Sequence, residues 1–509
     1  MSRRKFVKQG SAGLIGVSLI PQFLAAQPDW ALKINGENTL SDYYTRFGVD
    51  ANILQQVMVE ALSKGGDYCD LYFQHSINNY VGLEDREVNR AYTDVVFGVG
   101  IRVLKGDQTG YSFTEEISIK AMKNAARTAA NIANSTQKVD PVALETRFPA
   151  QYYAIKTPWE KVSIDQKIPF LQEINDKVFK LDSRIIKSTI SFNDNATHIL
   201  FVNSEGVVTF DARPQGRISV SCTAEQNGKR ENGYFDLAGS VGIDFFSPEK
   251  INRLASEAVK RTVVLFDAVK PKGGEMEVVL AAGSSGILLH EAIGHGMEAD
   301  FNRKDISIFS TKMGKKVANK HVTIVDNGTN LNVRGSLNID DEGNFTEETI
   351  MVENGVMNSY LHDKISAKHY GLKPTGNGRR ESFKHHPMPR MRNTYMLNGP
   401  HTKEEIIAST KKGIYAISFT NGQVNIGGGD FTFYVKFGYL IEDGKLTKPI
   451  KDINIIGNGP DVLSKITMVG NDLKMAEGGW TCGKNGQGVP VSQGLPTIKV
   501  SSITVGGVT

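Results

Sequence analysis

Lys270-Pro271-Lys272-Gly273-Gly274-Glu275-Met276-Glu277-Val278-Val279-Leu280 decides how this chain divides. Its first five residues are polar and rich in Pro and Gly, which break regular structure, and Met276 to Leu280 then reads as a short strand. Upstream, helical and strand patterns alternate. Apolar residues recur at helical spacing from Val49 to Leu62 (Ile53, Leu54, Val57, Met58, Ala61, Leu62), and Gly65-Gly66 ends the run. Asp70 to Phe73 and Val95 to Val103 read as strands, the second turning through Lys105-Gly106-Asp107 into Thr109 to Phe113 as a hairpin. Two more helices are expected at about 117 to 133 and 163 to 181, then strands over about 186 to 240. A helix follows from Pro248 to about Asp267, with Ser247 as N-cap and Pro248 in its first position. Downstream of Gly274 the glycines crowd together and strand-like runs dominate. The expected architecture is α+β, with a mixed α/β N-terminal domain over 27–270 and a β-rich C-terminal domain over 271–509.

Length and composition bound the rest. The 509 residues are 40% hydrophobic and 22% charged, ordinary values for a folded chain that is more comfortable as two domains than as one. A net charge of +4 is small for this length, and no Lys/Arg stripe interleaved with aromatics appears, so nucleic acid is not an expected partner. No internal repeat or low-complexity tract is visible. Three cysteines, Cys69, Cys222 and Cys482, cannot build a disulfide framework. Cys69 and Cys222 lie in strand-like settings that suit buried, inert thiols. Cys482 sits instead in Gly478-Gly479-Trp480-Thr481-Cys482-Gly483-Lys484-Asn485-Gly486, a stretch that reads as a flexible glycine loop with no packing role for the thiol.

The N-terminus reads as an address. Ser2-Arg3-Arg4-Lys5-Phe6-Val7-Lys8 is followed by a mildly apolar run from Gly10 to about Ala26, the order of a twin-arginine export signal over residues 1–26. The run is too short and too weakly apolar to span a bilayer of about 30 Å, and no later segment has the apolar length to cross one. The expectation is export, to the periplasm, with no permanent membrane span.

Past the short strand comes Gly283-Ser284-Ser285-Gly286-Ile287-Leu288-Leu289-His290-Glu291-Ala292-Ile293-Gly294-His295-Gly296, in which Ser284 or Ser285 is placed to cap a short helix. Two histidines beside a glutamate resemble the pattern in which imidazoles hold Zn²⁺ and the acid takes a proton from water. On a plain α-helix, however, residues five apart diverge by roughly 140°. Gly294 and Gly296 bracket His295 and permit a π-type bulge or a sharp helix end there. Two imidazoles leave a catalytic zinc one protein ligand short, and Cys482 can supply it. On residues alone this assembly stands beside its alternative, two structural histidines and a stray thiol. Glu298 and Asp300 are either solvated or hold an imidazole from behind. Arg379 and Arg380 can hold a peptide carboxylate or serve as structural ion pairs. His385-His386 points its two rings to opposite faces of an extended segment, and Gly427-Gly428-Gly429 reads as a turn.

The stretch His290-Glu291-Ala292-Ile293-Gly294-His295-Gly296-Met297-Glu298-Ala299-Asp300-Phe301-Asn302-Arg303-Lys304 resembles the HExxxH signature of the TldD/PmbA family. The likeness continues through Thr375-Gly376-Asn377-Gly378-Arg379-Arg380-Glu381-Ser382, Pro389-Arg390-Met391, Asn393-Thr394-Tyr395-Met396, Met468-Val469-Gly470-Asn471-Asp472-Leu473 and Cys482-Gly483-Lys484-Asn485-Gly486-Gln487. It is most specific from about 275 to 507. What it implies is a zinc metallopeptidase with His290, His295 and Cys482 on the metal and Glu291 as general base on a zinc-bound water. It further implies cleavage of short or unfolded peptides, in a homo-oligomer or a heteromer with a TldE/PmbA-like subunit. Two other readings stay open: a non-catalytic partner subunit, and a zinc amidohydrolase acting on a small molecule.

Overall fold

Strand-forming residues are used first on one long sheet. The computed structural model describes residues 39–134 and 139–507, and the export segment read on 1–26 lies outside them. Strands Tyr68–Glu84 (β1), Glu87–Lys105 (β2), Gln108–Thr114 (β3), Glu145–Thr146 (β4), Ile185–Asn203 (β5), Val207–Gln226 (β6) and Lys229–Gly239 (β7) run in the order β3-β2-β1-β5-β6, with β4 and β7 both against β6. All pairings are antiparallel except β4 on β6. β6 alone has 20 residues, so the sheet is roughly 60 Å long at about 3.3 Å per residue.

No single helical layer covers such a length. Helices Leu40–Phe47 (α1), Ala51–Leu62 (α2) and Ile119–Ala130 (α3) cover one end, where Leu54, Val57 and Met122 pack with Leu71, Phe73 and Ile101. Ile164–Leu181 (α4) and Pro248–Val263 (α5) cover the other, where Leu171, Ile174 and Leu254 meet Val81, Leu83 and Phe192. Each such buried side chain contributes about 1.5–3 kcal/mol. The expected N-cap is made: Ser247 Oγ accepts from Lys250 N–H. The helix stops at Val263 in a 3₁₀ turn, Val264–Phe266, short of Asp267.

Alternation along β1 sorts its neighbours. Leu71, Phe73, Val81 and Leu83 turn to the helices, while Asp70, Tyr72 and Gln74 turn to the opposite face. There the C-terminal half docks through buried polar contacts. Arg102 pairs with Asp70 and, at 2.6 Å, with Glu342 Oε1. Tyr72 OH donates to Asp341 at 3.3 Å, and Phe383 N–H donates to Gln74 Oε1 at 2.8 Å. This explains a difference from the sequence reading, which confines β1 to Asp70–Phe73 and starts β2 at Val95. The middle of both strands carries Gln74, Ser76, Asn78, Asn79 and Asp94 and has no apolar alternation to find.

The second half opens with Gly274–Leu280 (β8). Its sheet runs Lys445–Asn458, Asp430–Glu442, Lys412–Val424, β8, Ile498–Gly506, Ile466–Val469, and Lys445–Asn458 also pairs with Ile498–Gly506. Five of the strands therefore close into a ring, pairing on both sides over part of their length. Val278, Leu280, Phe419, Phe433 and Val500 belong to its buried core. A second six-stranded sheet brings Ile324–Asn327, Asn393–Met396 and Ser492–Leu495 side by side. α+β is the observed class. No helix among the described residues is long and apolar enough to cross a membrane.

Truncating Arg102 to Ala leaves Glu342 buried without its cation and Asp70 with only the more distant Arg380, 3.5 Å away. The expected loss is about 3–5 kcal/mol of unfolding free energy, read from guanidinium denaturation. A loss under about 1 kcal/mol would mean that this ion triad does not hold the two halves together.

Candidate metal centre

The centre begins with a change of helical winding. After β8, Gly283 adopts φ +99°, a conformation that favours glycine, and Ser284–Gly286 makes a 3₁₀ turn. Neither serine caps it; Ser284 Oγ donates to Ile417 O at 3.2 Å instead. One α turn follows at Ile287–Leu289, then a π turn at His290–Gly294, then a 3₁₀ turn at His295–Met297. His295 N–H donates to His290 C=O, a bond spanning five residues. The wider turn returns both imidazoles to one side, with ring centroids 5.0 Å apart. The expected bulge is present, but the glycines act through space rather than through dihedral freedom. A Cβ on Gly294 would sit 2.9 Å from Met391 Cε, and one on Gly296 would sit 2.6 Å from the Phe309 ring.

Cys482 arrives from the other direction. It lies not in a flexible loop but on strand Thr481–Lys484, paired with Gln487–Pro490 around Asn485-Gly486, both with positive φ. The thiol is 2% exposed, with Sγ 3.4 Å from His295 Nε2. One ligand atom from each of His290, His295 and Cys482 lies within 4.8 Å of the others, the one such cluster among the described residues. Burial alone would raise the Cys482 thiol, but the imidazoles of His290 and His295 hold it well below its ordinary value. Burial raises the thiols of Cys69 and Cys222, the latter to about 12. The His/His/thiolate set, gathered and dry, suits a borderline-soft divalent ion such as zinc, and His290 Nδ1 is buried without a partner.

Behind the ligands stands a set of buried charges. Glu298 Oε2 lies 3.1 Å from His295 Nδ1 and 3.0 Å from Lys484 Nζ. Lys484 also reaches Asp300 at 2.8 Å and the Pro389 carbonyl at 3.0 Å. Arg390 donates to the Cys482 carbonyl and stands 4.0 Å from Glu298 Oε1. Burial would raise the Glu298 carboxyl, yet Lys484 and His295 bring it down to about 2. The opposing charges of Glu298 and Cys482 carry His295 well above its usual value despite its burial.

A cavity of about 630 Å³ opens on the centre, with Glu291 in its wall beside the three ligands. Thr420, Gly422, Gln423 and Val424 supply one side. β8 pairs with this strand only from Gly413 to Ala416, so the stretch beyond has no strand on that edge. Gln493 also lines the cavity. It is fully buried, its backbone is held by Ala476 at 2.7 Å, and both ends of its side-chain amide lack partners. Lys484, Arg390 and Gln493 escape sequence reasoning. Asn-Gly at 485–486 is the signal that could have revealed the hairpin, and with it the shared face of Cys482 and Lys484. Arg379 and Arg380 are buried outside the cluster, Arg379 within the field of the Cys482 thiolate and Arg380 against Asp70 and Tyr72. His385 contacts Ser382, and neither it nor His386 joins a metal-type cluster among the described residues. Gly427 to Gly429 form a turn between two strands.

Comparisons with known proteins agree along the chain. Family models described as PmbA/TldA metallopeptidase domain 1, central domain and C-terminal domain match residues 69–133, 157–266 and 273–507. The metalloprotease TldD homolog of Haemophilus influenzae is 41% identical over 448 residues, covering 87% of this chain and 93% of its own. The zinc metalloprotease TldD homolog of Saccharolobus solfataricus is 29% identical over 446 residues, covering 87% of this chain and 97% of its own. The crystal structure of TldE from Thermococcus kodakarensis shares the fold with a TM-score of 0.71 and 18% identity, over 89% of this chain and all of that one.

Glu298 gives the metal-free protein an acid limb. Its pKa is depressed from 4.5 to about 2, so its stabilisation is complete above about pH 4.5 and is lost as pH falls towards 2. Glu298→Gln should flatten that limb in pH-dependent unfolding. An unchanged limb would show that the carboxylate carries no net stabilising charge.

Proposed function

Because this chain belongs to the PmbA/TldD family of metallopeptidases, we propose that it is a zinc peptidase that cleaves short or unfolded peptides at the centre formed by His290, His295 and Cys482. The observation that carries this reading is the convergence of two imidazoles and a low-pKa thiol in one buried cluster on the wall of an open cavity. Zinc held there supplies a Lewis acid that polarises a carbonyl and makes water a better nucleophile near neutral pH. Glu291, in the same wall, is the base that takes the proton from that water and delivers it to the leaving amine. Glu298 and Lys484 fix the ring of His295, and Arg390 fixes the strand that carries Cys482.

The open edge of Thr420–Val424 supports a peptide docked as an added strand, because backbone hydrogen bonding is indifferent to sequence. Gln493, with a donor and an acceptor both unused, is suited to hold one amide of that peptide. A second subunit, either a TldE-like relative or another copy, would find a free edge on β2. Residues 87–98 pair only with β1, and Val88, Tyr92 and Val95 are exposed there.

Three variants and the wild type test the site together. Wild type should hold about one zinc per chain, and Cys482→Ser should lose most of it. Glu291→Gln should keep the metal and lose cleavage by 10²-fold or more, roughly the contribution of a general base. Gln493→Ala should keep the metal and raise KM for peptides by about tenfold, in line with lost hydrogen bonds to a buried polar group. Full metal content without Cys482, or undiminished cleavage without Glu291, would remove these residues from the chemistry.

Export by the twin-arginine route, to the periplasm, belongs to the same proposal and rests on Arg3-Arg4 and the run to Ala26. Replacing both arginines by Lys should leave the protein in the cytoplasmic fraction of cells. An unchanged distribution would sink the export reading.

A further inference from the structure

A second cavity, of about 700 Å³, lies where the polar middle of the first sheet faces the C-terminal half, and it shares no lining residue with the metal cavity. Its cations differ in how they are satisfied. Arg213 is paired with Asp211 and Asp341, Arg217 with Asp236, Arg380 with Asp70 and Lys384 with Glu115. Among the described residues, neither Arg334 nor Arg379 makes an ion pair with a carboxylate. Arg334 gives Nε to the Trp480 carbonyl at 3.1 Å and Nη1 to Gln215 Oε1 at 2.8 Å. Arg379, 3% exposed, gives only Nη1 to the Met391 carbonyl at 2.6 Å, and its Nε is buried without a partner.

The local field confirms the imbalance. Burial and the nearby Arg217 pull Arg334 down to about 10 in spite of Asp236, and burial with Arg390 brings Arg379 to about 10 in spite of Asp341 and Cys482. Arginine does not deprotonate at physiological pH, so both guanidiniums stay charged although no described carboxylate pairs with either of them. A buried cation in that state is costly unless something else supplies the anion. Among the lining carboxylates, Asp194 is paired with Lys167 and Asp341 with Arg213. Asp94 and Glu381, which make no ion pair, are exposed. The walls otherwise carry the carboxamides of Gln74, Asn78, Asn79, Asn193, Asn195 and Gln215, a surface that both gives and accepts hydrogen bonds as peptide groups do.

We propose that this cavity binds the free carboxylate end of a short peptide, with Arg334 and Arg379 as the counter-ions and the carboxamide wall against its backbone. Planar, forked guanidiniums match a carboxylate's two oxygens, and the same chemistry would accept phosphate, so the test separates the two sources. The peptide identity rests on the peptidase reading above; the anion site does not.

The experiment is calorimetric titration of the full chain carrying Glu291→Gln, so that the probe is not consumed, with and without metal. The probes are trialanine, trialanine amide and inorganic phosphate. Trialanine should bind roughly tenfold or more tightly than its amide, as expected for bonds to charged groups, with or without metal. Arg379→Gln should erase that preference. Gln215→Glu, which places a carboxylate against Arg334 without removing the arginine, should do the same, and thermal melts confirm that each variant is folded. Equal binding of acid and amide, a preference that survives Gln215→Glu in a folded protein, or phosphate binding more tightly than trialanine would each overturn the proposal. Failure of peptide cleavage in the wild type would instead count against the peptidase reading and leave a carboxylate preference here standing.

Discussion

Five residues separate His290 from His295, and the centre exists only because the backbone closes that interval into one turn. A regular α-helix would aim the two rings apart. The π turn costs hydrogen-bond quality, and it persists because its surroundings are fitted to it: Met391 and Phe309 fill the spaces that Gly294 and Gly296 leave open. Packing of the second half of the chain thus depends on a winding that only the site requires. Local strain and global packing are satisfied by the same two glycines.

The second constraint is electrostatic. Glu298, Lys484, Arg390, His290, His295 and Cys482 are all buried, and charges so placed are tolerated only when each has a partner. Glu298 partners His295 and Lys484, and Lys484 also partners Asp300. Because Lys484 and Cys482 share one strand, the clamp that steadies His295 and the thiol that faces it move as a single body. Removing either end would unsettle the other.

Much of this was legible in residues, and the misses have a common cause. The helices Ala51–Leu62, Ile164–Leu181 and Pro248–Val263 announce themselves because one face of each is apolar at helical spacing. The strands β1 and β2 do so only from Asp70 to Phe73 and from Val95 to Val103, since the middle of β1 lines a polar cavity and carries Asn, Ser and Gln, and the first half of β2 is exposed. Cys482 is legible as an unusual thiol, but its strand is not: glycine content suggests a loop, while the pairing of Thr481–Lys484 with Gln487–Pro490 comes from the turn between them and from tertiary contact. Gln493 illustrates a harder limit. No pattern marks a glutamine whose importance lies in having no partner.

The ring of strands in the second half has an order of assembly built into it. β8 lies between Lys412–Val424 and Ile498–Gly506, so one of its neighbours in the sheet is more than two hundred residues away. Pairings of such long range form late and slowly, because the chain between them must first be restrained. On a growing polypeptide, His290 and His295 appear long before Cys482, which follows His295 by 187 residues. A nascent chain therefore offers any passing ion two imidazoles without a thiolate. The complete three-donor cluster is a property of the finished fold, assembled only after synthesis has passed the closing strand.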